Sequence, residues 1–250
     1  MDGCALNGFY SPAQLQRYLT ALPRRYSCRA YGGAPDAGQL SALHYAAERV
    51  CLPGTRIVIA ACGEGLFLHV PFVEPIRGTD QYACFIADMR RELPRAQMGI
   101  GGEAFVLEAA AMGVNTCWVS GTYRRGAVDV PLAEGERVLA VTPLGIAARG
   151  ETPSRKRKPL ASICLTPPDQ WPLWAYQAAD AVRRAPSAVN RQPWRLSYGQ
   201  NTLRLLGRKA DSLDMGIAML HMEAAAGGRR RHWEWGENGC VAHLIAEEEA

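Results

Sequence analysis

Arg184-Ala185-Pro186-Ser187-Ala188-Val189-Asn190-Arg191-Gln192-Pro193-Trp194 runs from the end of an amphipathic segment into a strand-like run. Pro186 fixes its own φ, lacks an N–H and pushes Ala185 out of the helical region, so a helix arriving here must stop. The residues beyond it form a loop with exposed backbone and short polar side chains. Ser187 and Asn190 can donate and accept at the edge of a heterocycle, while Pro193 and Trp194 close the turn and plant an aromatic anchor.

The rest of the chain reads as a scaffold for that loop. Its 250 residues are 48% hydrophobic and 21% charged, which is a globular composition able to bury a large core. Apolar runs stay shorter than the roughly 18 residues a membrane helix needs. The start, Met1-Asp2-Gly3-Cys4, has neither a basic segment nor an apolar stretch, so a cytoplasmic location is expected. Eight cysteines and five histidines are scattered without ligand spacing, which points to reduced thiols and to no metal site. The net charge of +4 is gathered in clusters such as Arg155-Lys156-Arg157-Lys158, which suit phosphate better than a long nucleic-acid track.

Taken in order, helical spacing runs from Ser11 to Leu22, with Ser11-Pro12 as cap and first turn, and again from Ala37 to Val50. Arg56 to Cys62 and Gln81 to Ala87 read as strands, Gly102 to Met112 as a buried helix ending at Gly113, and Thr116 to Val119 as a strand stopping at Ser120-Gly121. Arg137 to Ile146 is a further strand. The basic, Pro-rich stretch Arg149 to Pro168 then reads as an extended linker. These features divide the chain into residues 1–150, a connecting tail 151–168 and a shorter unit 169–250.

Sliding the sequence along itself exposes a repeat. A shift of 133 lays Leu40 on Leu173, Ala46 on Ala179 and Pro53 on Pro186; a shift of 114 lays Gly102 on Gly216, Ala110 on Ala224 and Gly113 on Gly227. The second copy is therefore shorter between these points. The copies differ where chemistry would lie, because the first lacks the Ser, Asn and Gln-Pro-Trp of the loop and the second lacks Arg25-x-Ser27-x-Arg29.

Three other patterns are discounted. Gly99 to Ala104 fits a dinucleotide fingerprint, but Arg-Arg-Glu-Leu-Pro-Arg precedes it instead of a strand. Met215, Met219 and Met222 have the helical spacing of core residues. Arg229 to Trp233 mixes charge with aromatics in one short patch only.

Together, Arg25, Ser27 and Arg29, the stretch Met112 to Gly121, the strand Leu139 to Gly145, the tail Arg155 to Leu160 and the loop Pro186 to Trp194 resemble the nitroreductase family of FMN enzymes. The resemblance is to the branch in which two nitroreductase-like halves are fused as an intramolecular pseudo-dimer. It implies an α/β (α+β) fold, a sheet flanked by helices, and one site built from both halves. Arg25, Ser27, Arg155 and Arg157 are then expected around the FMN phosphate, where guanidinium groups and a hydroxyl suit a dianion. Arg29 is expected beside N1 and O2, where a cation favours the reduced flavin. Ser120 and Gly121 would offer backbone toward N5, and Pro186, Ser187, Asn190 and Gln192 would meet the ring edge or ribityl chain. The resemblance implies NAD(P)H as co-substrate, a small-molecule acceptor such as a nitroaromatic or quinone, and a monomer or weak homo-oligomer with neither nucleic-acid nor membrane partners. The alternative is a flavin-binding protein without turnover.

Overall fold

A computed structural model of the chain describes residues 4–61, 65–71, 73–151, 153–154, 156–227, 230–237 and 239–247. The first helices start where side chains can satisfy the orphan amides of a helix N-terminus. Ser11 caps α1 (Pro12–Ala21) and Asp36 caps α2 (Ala37–Arg49), each in a reciprocal box with the glutamine three residues on, Gln14 and Gln39. Between them lies β1 (Tyr31–Gly33), which pairs with β5 (Ile146–Ala147).

The hairpin β2 (Thr55–Ala61) and β3 (Gln81–Asp88) comes next, then the long helix α3 (Pro94–Ala111), then β4 (Glu136–Leu144). The sheet runs β2-β3-β4, all antiparallel. Antiparallel bridges Asn115 to Gly145 and Val119 to Val141 set residues 115–119 beside the outer edge of β4. A short helix, α4 (Leu160–Ile163), lies in the expected linker, so that stretch is not extended throughout. After it come α5 (Leu173–Arg184), the hairpin β6 (Arg195–Gly199) and β7 (Thr202–Leu206), the helix α6 (Leu213–Ala225), and then β8 (Arg231–Trp235) and β9 (Cys240–Ala246). Their sheet is ordered β6-β7-β9-β8. Helix, hairpin, long helix, edge segment and inner strand thus occur twice, in the same chain order and with the same neighbours. The connection β2 to β3 takes residues 62–80, whereas β6 to β7 takes only Gln200 and Asn201. Most of the shortening of the second copy is there.

The core is built on α3 and α6, which are apolar on nearly every face and pack on each other. Helix α3 starts at Pro94, two turns earlier than Gly102, because Gly99, Gly101 and Gly102 serve close packing and do not break the helix. At the crossing, a Cβ on Gly99 would stand 2.4 Å from the Leu213 carbonyl oxygen, so only glycine lets the backbones approach this far. Leu93 supplies no side-chain cap, so Asp211 from the segment before α6 does so, accepting the Arg95 and Ala96 amides at 2.7 and 3.1 Å.

Across the first sheet, Arg56 on β2 forks onto Glu136 on β4 at 2.8 and 2.7 Å. The Arg56 hydrogen bonds hold the Glu136 carboxyl below its ordinary 4.5. A depressed carboxyl contributes stability above the unfolded value and loses it as pH falls through the folded one. Arg56→Met is therefore expected to lower stability at pH 7 by up to about 1 kcal/mol. Urea melts of both proteins should converge as the pH drops below 4.5; a gap unchanged at acid pH would show that the ion pair is not its source.

Candidate functional site

Two groups of the sequence-selected residues assemble, one on each half, and a buried acid and base join them. In the first group, residues 25–29 run alongside the segment after α3. Ser27 bridges Thr116 in parallel, and the Cys28 amide donates to the Thr116 carbonyl at 3.0 Å. Arg29 is half-buried; its amide donates to Glu151 at 3.2 Å and its Nη1 to the Ser27 carbonyl at 3.5 Å. Burial pushes the Cys117 thiol up, while Arg29, a hydrogen bond from Ser27 and the charge of Arg25 all pull it down. These three side chains therefore share one neighbourhood. Arg25 itself is 7% exposed, with Nε 3.7 Å from Glu103 Oε1, and it lines a cavity of about 170 Å³ with Arg24, Tyr26 and the end of α3.

The Trp118 indole donates to Glu103 Oε2 at 2.7 Å, and Val119 is fixed to Val141. The strand then surfaces at Ser120 and Gly121, both exposed, and a Cβ built on Gly121 would meet nothing within 4 Å. Open space lies beside that backbone. The long β2–β3 connection frames it, pairing with the chain on both sides: Leu68 donates to Thr122 at 2.9 Å, and Arg77 donates to the Arg29 carbonyl at 3.0 Å.

In the second group, the loop that ends α5 is knitted to the basic tail. Arg157 donates to the Arg184 carbonyl at 3.3 and 3.1 Å and to Asn190 Oδ1 at 3.4 Å, and Asn190 Nδ2 returns a bond to the Lys156 carbonyl at 3.0 Å. Gln192 accepts the Lys158 amide at 3.0 Å, and its own amide donates to Ser187 Oγ at 2.8 Å. Lys158 Nζ reaches the Arg191 and Gln192 carbonyls at 2.7 and 3.1 Å. Asp214, its carboxyl pushed up by burial, accepts the Ala188 amide at 3.0 Å from the first turn of α6.

These bonds hold an unusual backbone. Val189, Asn190 and Gln192 have φ of 44°, 54° and 48°, in the left-handed region. For a β-branched residue this costs about 1–2 kcal/mol, and Val189, 79% exposed, recovers nothing by burial. Trp194 beyond it is fully buried and anchors the turn. Pro186 closes the end of α5, where the Ala185 amide bonds back to Val182 at 3.0 Å. The polar atoms of Asn190 and Gln192 are thus engaged in shaping the loop, whereas the Ser187 hydroxyl keeps its own hydrogen to donate. Arg155, expected beside Arg157, lies outside the described residues.

Sequence reasoning missed the link between the groups. Glu103 and His221 are both fully buried, with Glu103 Oε1 to His221 Nε2 at 2.8 Å and His221 Nδ1 to the Ala181 carbonyl at 3.0 Å. The signal was available, a single acid and a single histidine in the apolar middles of two helices, where an ionisable group needs a partner. Gly99 to Ala104, the discounted fingerprint, is an interior stretch of α3 and holds that acid. Met215, Met219 and Met222 are core residues.

The family described as "Putative TM nitroreductase" matches residues 19–226, a span that includes both groups and the helices between them. The chain belongs to this family. No curated protein matches this family member. Among solved structures it is similar to a "putative nitroreductase" of Thermotoga maritima, at 20% identity over 92% of this chain and 93% of that one, with a TM-score of 0.64. That likeness establishes a nitroreductase-like α+β fold over nearly the whole chain. Other matches include an FMN complex from Desulfovibrio desulfuricans, 18% identical over 62% of this chain and 98% of that one, TM-score 0.48. An FMN-bound nitroreductase of Desulfitobacterium hafniense is 16% identical over 62% and 97%, TM-score 0.45. Among the described residues no group of His, Cys, Asp or Glu could hold a metal, seven cysteines are free thiols, and no helix is long and apolar enough to cross a membrane.

Proposed function

We propose that this nitroreductase-family chain is an FMN-dependent oxidoreductase whose two topologically equal halves form an intramolecular pseudo-dimer around one shared site. The observation that carries the reading is the division of labour between the halves. Arg25, Ser27 and Arg29 stand on the first, and the loop Pro186 to Trp194 on the second, docked on Arg157 and Lys158 from the connecting tail. The donor chemistry fits the cofactor, since guanidinium groups and a hydroxyl suit a phosphate and the open space at Gly121 suits the face of a flat ring.

In this reading Arg25, Ser27 and Arg157, with Arg155, hold the phosphate, and Arg29 places its positive charge at the N1 and O2 side. Ser120 and Gly121 present backbone toward N5 with no side chain in the way. Ser187 donates from the other half, while Asn190 and Gln192 fix the left-handed turn that Pro186 and Trp194 bracket. Bound FMN supplies the chemistry, accepting hydride from NAD(P)H and passing it in a separate half-reaction to a nitroaromatic, quinone or similar small acceptor. In this reading the chain works in the cytoplasm as a monomer or weak homo-oligomer, without nucleic-acid or membrane partners.

The test is reconstitution. Added FMN should turn the purified protein yellow, and NADH or NADPH should bleach it. Arg29→Ala and Asn190→Ala are each expected to weaken FMN binding roughly tenfold or more, as loss of a charge-assisted or shape-fixing contact does. If Asn190→Ala binds as the parent does, the shared site is wrong; a yellow protein that neither nicotinamide bleaches would be a flavin-binding protein without turnover.

A further inference from the structure

We propose that Glu103 and His221 are positioning residues: one buried acid and base that set the relative placement of all three arms of the FMN site. The inference rests on the reading of Arg25 as a phosphate ligand. Glu103 sits on α3 and His221 on α6, and neither is exposed to solvent at all. The Ala181 carbonyl can only accept, so the Nδ1 facing it at 3.0 Å carries a hydrogen. The 2.8 Å contact between Nε2 and Glu103 Oε1 then holds one further proton, whichever partner carries it. The second carboxyl oxygen takes the Trp118 indole N–H at 2.7 Å, and Arg25 Nε stands 3.7 Å from the first.

Each of these contacts ends next to a different arm. Arg25 is two residues before Ser27. Trp118 is two residues before Ser120. Ala181 lies in the last turn of α5, five residues before Pro186, and its carbonyl is taken by His221 while the Ala185 amide bonds to Val182. A shift in the acid or the base therefore moves the phosphate arm, the strand toward Gly121 or the start of the ring loop. The arms come from distant parts of the sequence, and this one pair touches the root of all three.

Glu103→Gln separates this role from simple core filling. The amide has the same shape, still accepts from Trp118 and can donate to a neutral His221, but it sets an N–H donor where Arg25 faced an acceptor oxygen. FMN dissociation constants from quenching of flavin fluorescence and melting curves of the FMN-free protein are to be measured for Glu103→Gln, Arg25→Ala and the double variant. Expected are a roughly tenfold weaker affinity for Glu103→Gln, melting of the FMN-free protein within a few degrees of the parent, and a double variant within about twofold of Arg25→Ala alone. If Arg25→Ala weakens binding but Glu103→Gln does not, or if the two effects simply multiply, Glu103 does not act through Arg25 and the proposal is overturned while the site stands. If Arg25→Ala leaves FMN affinity unchanged, the site reading itself fails and takes the proposal with it. Should Glu103→Gln unfold the protein, His221→Asn, which keeps a donor for Ala181 and drops the contact to Glu103, is measured against the same outcomes.

Discussion

Gly216→Ala is expected to lower the melting temperature by about 5 °C. A Cβ at this position would stand 1.9 Å from the Ala96 carbonyl oxygen and 2.9 Å from the Ile100 amide nitrogen. Both are backbone of α3, so no side chain can rotate away, and the helices must separate along a contact lined by fully buried residues. Overpacking of this sort costs about 1–3 kcal/mol and more when backbone must move. Alanine's better helix propensity returns about 1 kcal/mol, leaving a net loss of about 2 kcal/mol at the upper end of that range. At about 2–4 °C per kcal/mol for a chain of this size, that loss corresponds to the expected drop. Gly126→Ala is the control, because its Cβ would meet nothing within 4 Å and its φ is not in the left-handed region. Scanning calorimetry that finds the two variants equally stable would mean that α3 and α6 do not approach through Gly216.

Glu103→Leu should be the costlier change, at about 3–5 kcal/mol. Leucine fills the volume, yet it leaves His221 Nε2 and the Trp118 indole facing hydrocarbon and takes the carboxylate from Arg25. An ionisable group stripped of its partner in the core bears its full desolvation cost. Adding His221→Leu should return part of the loss, since replacing a whole buried pair by apolar groups is often close to neutral. Denaturant melts decide between the two views. A double variant that is less stable than Glu103→Leu alone would show that His221 contributes through Ala181 and the α5 terminus more than through the acid.

Much of this molecule is legible in its residues, for identifiable reasons. Ser11-Pro12 and the short β-branched and aromatic runs of β2 and β3 are local signals that tertiary structure had no cause to override. The spacing of Ala104 and Ala218 is legible in the same way, since both are fully buried, on α3 and on α6. The start of α3 was not, because three glycines within four residues look like a breaker until a partner helix supplies the reason for their smallness. In the loop, Ser187, Asn190 and Gln192 were legible as a polar set. Their mutual bonding and the left-handed turn were not, since both depend on a tail some thirty residues away. Glu103 and His221 escaped notice because each alone is an ordinary residue, and their meaning lies in a contact between positions 118 apart.

That contact has a bearing on the ancestry of the fold. The shift that lays Gly102 on Gly216 lays Glu103 on Ile217 and Leu107 on His221. An exact twofold arrangement would require the acid and the base on both helices, placing two such pairs near one axis. Here there is one pair, and its mirror positions are hydrocarbon. A chain that carries both copies covalently can accumulate such one-sided changes, since a mutation in one copy is not repeated in the other, whereas in a homodimer every substitution appears twice. On the proposed pseudo-dimer, the two halves could then no longer be separated into two identical subunits.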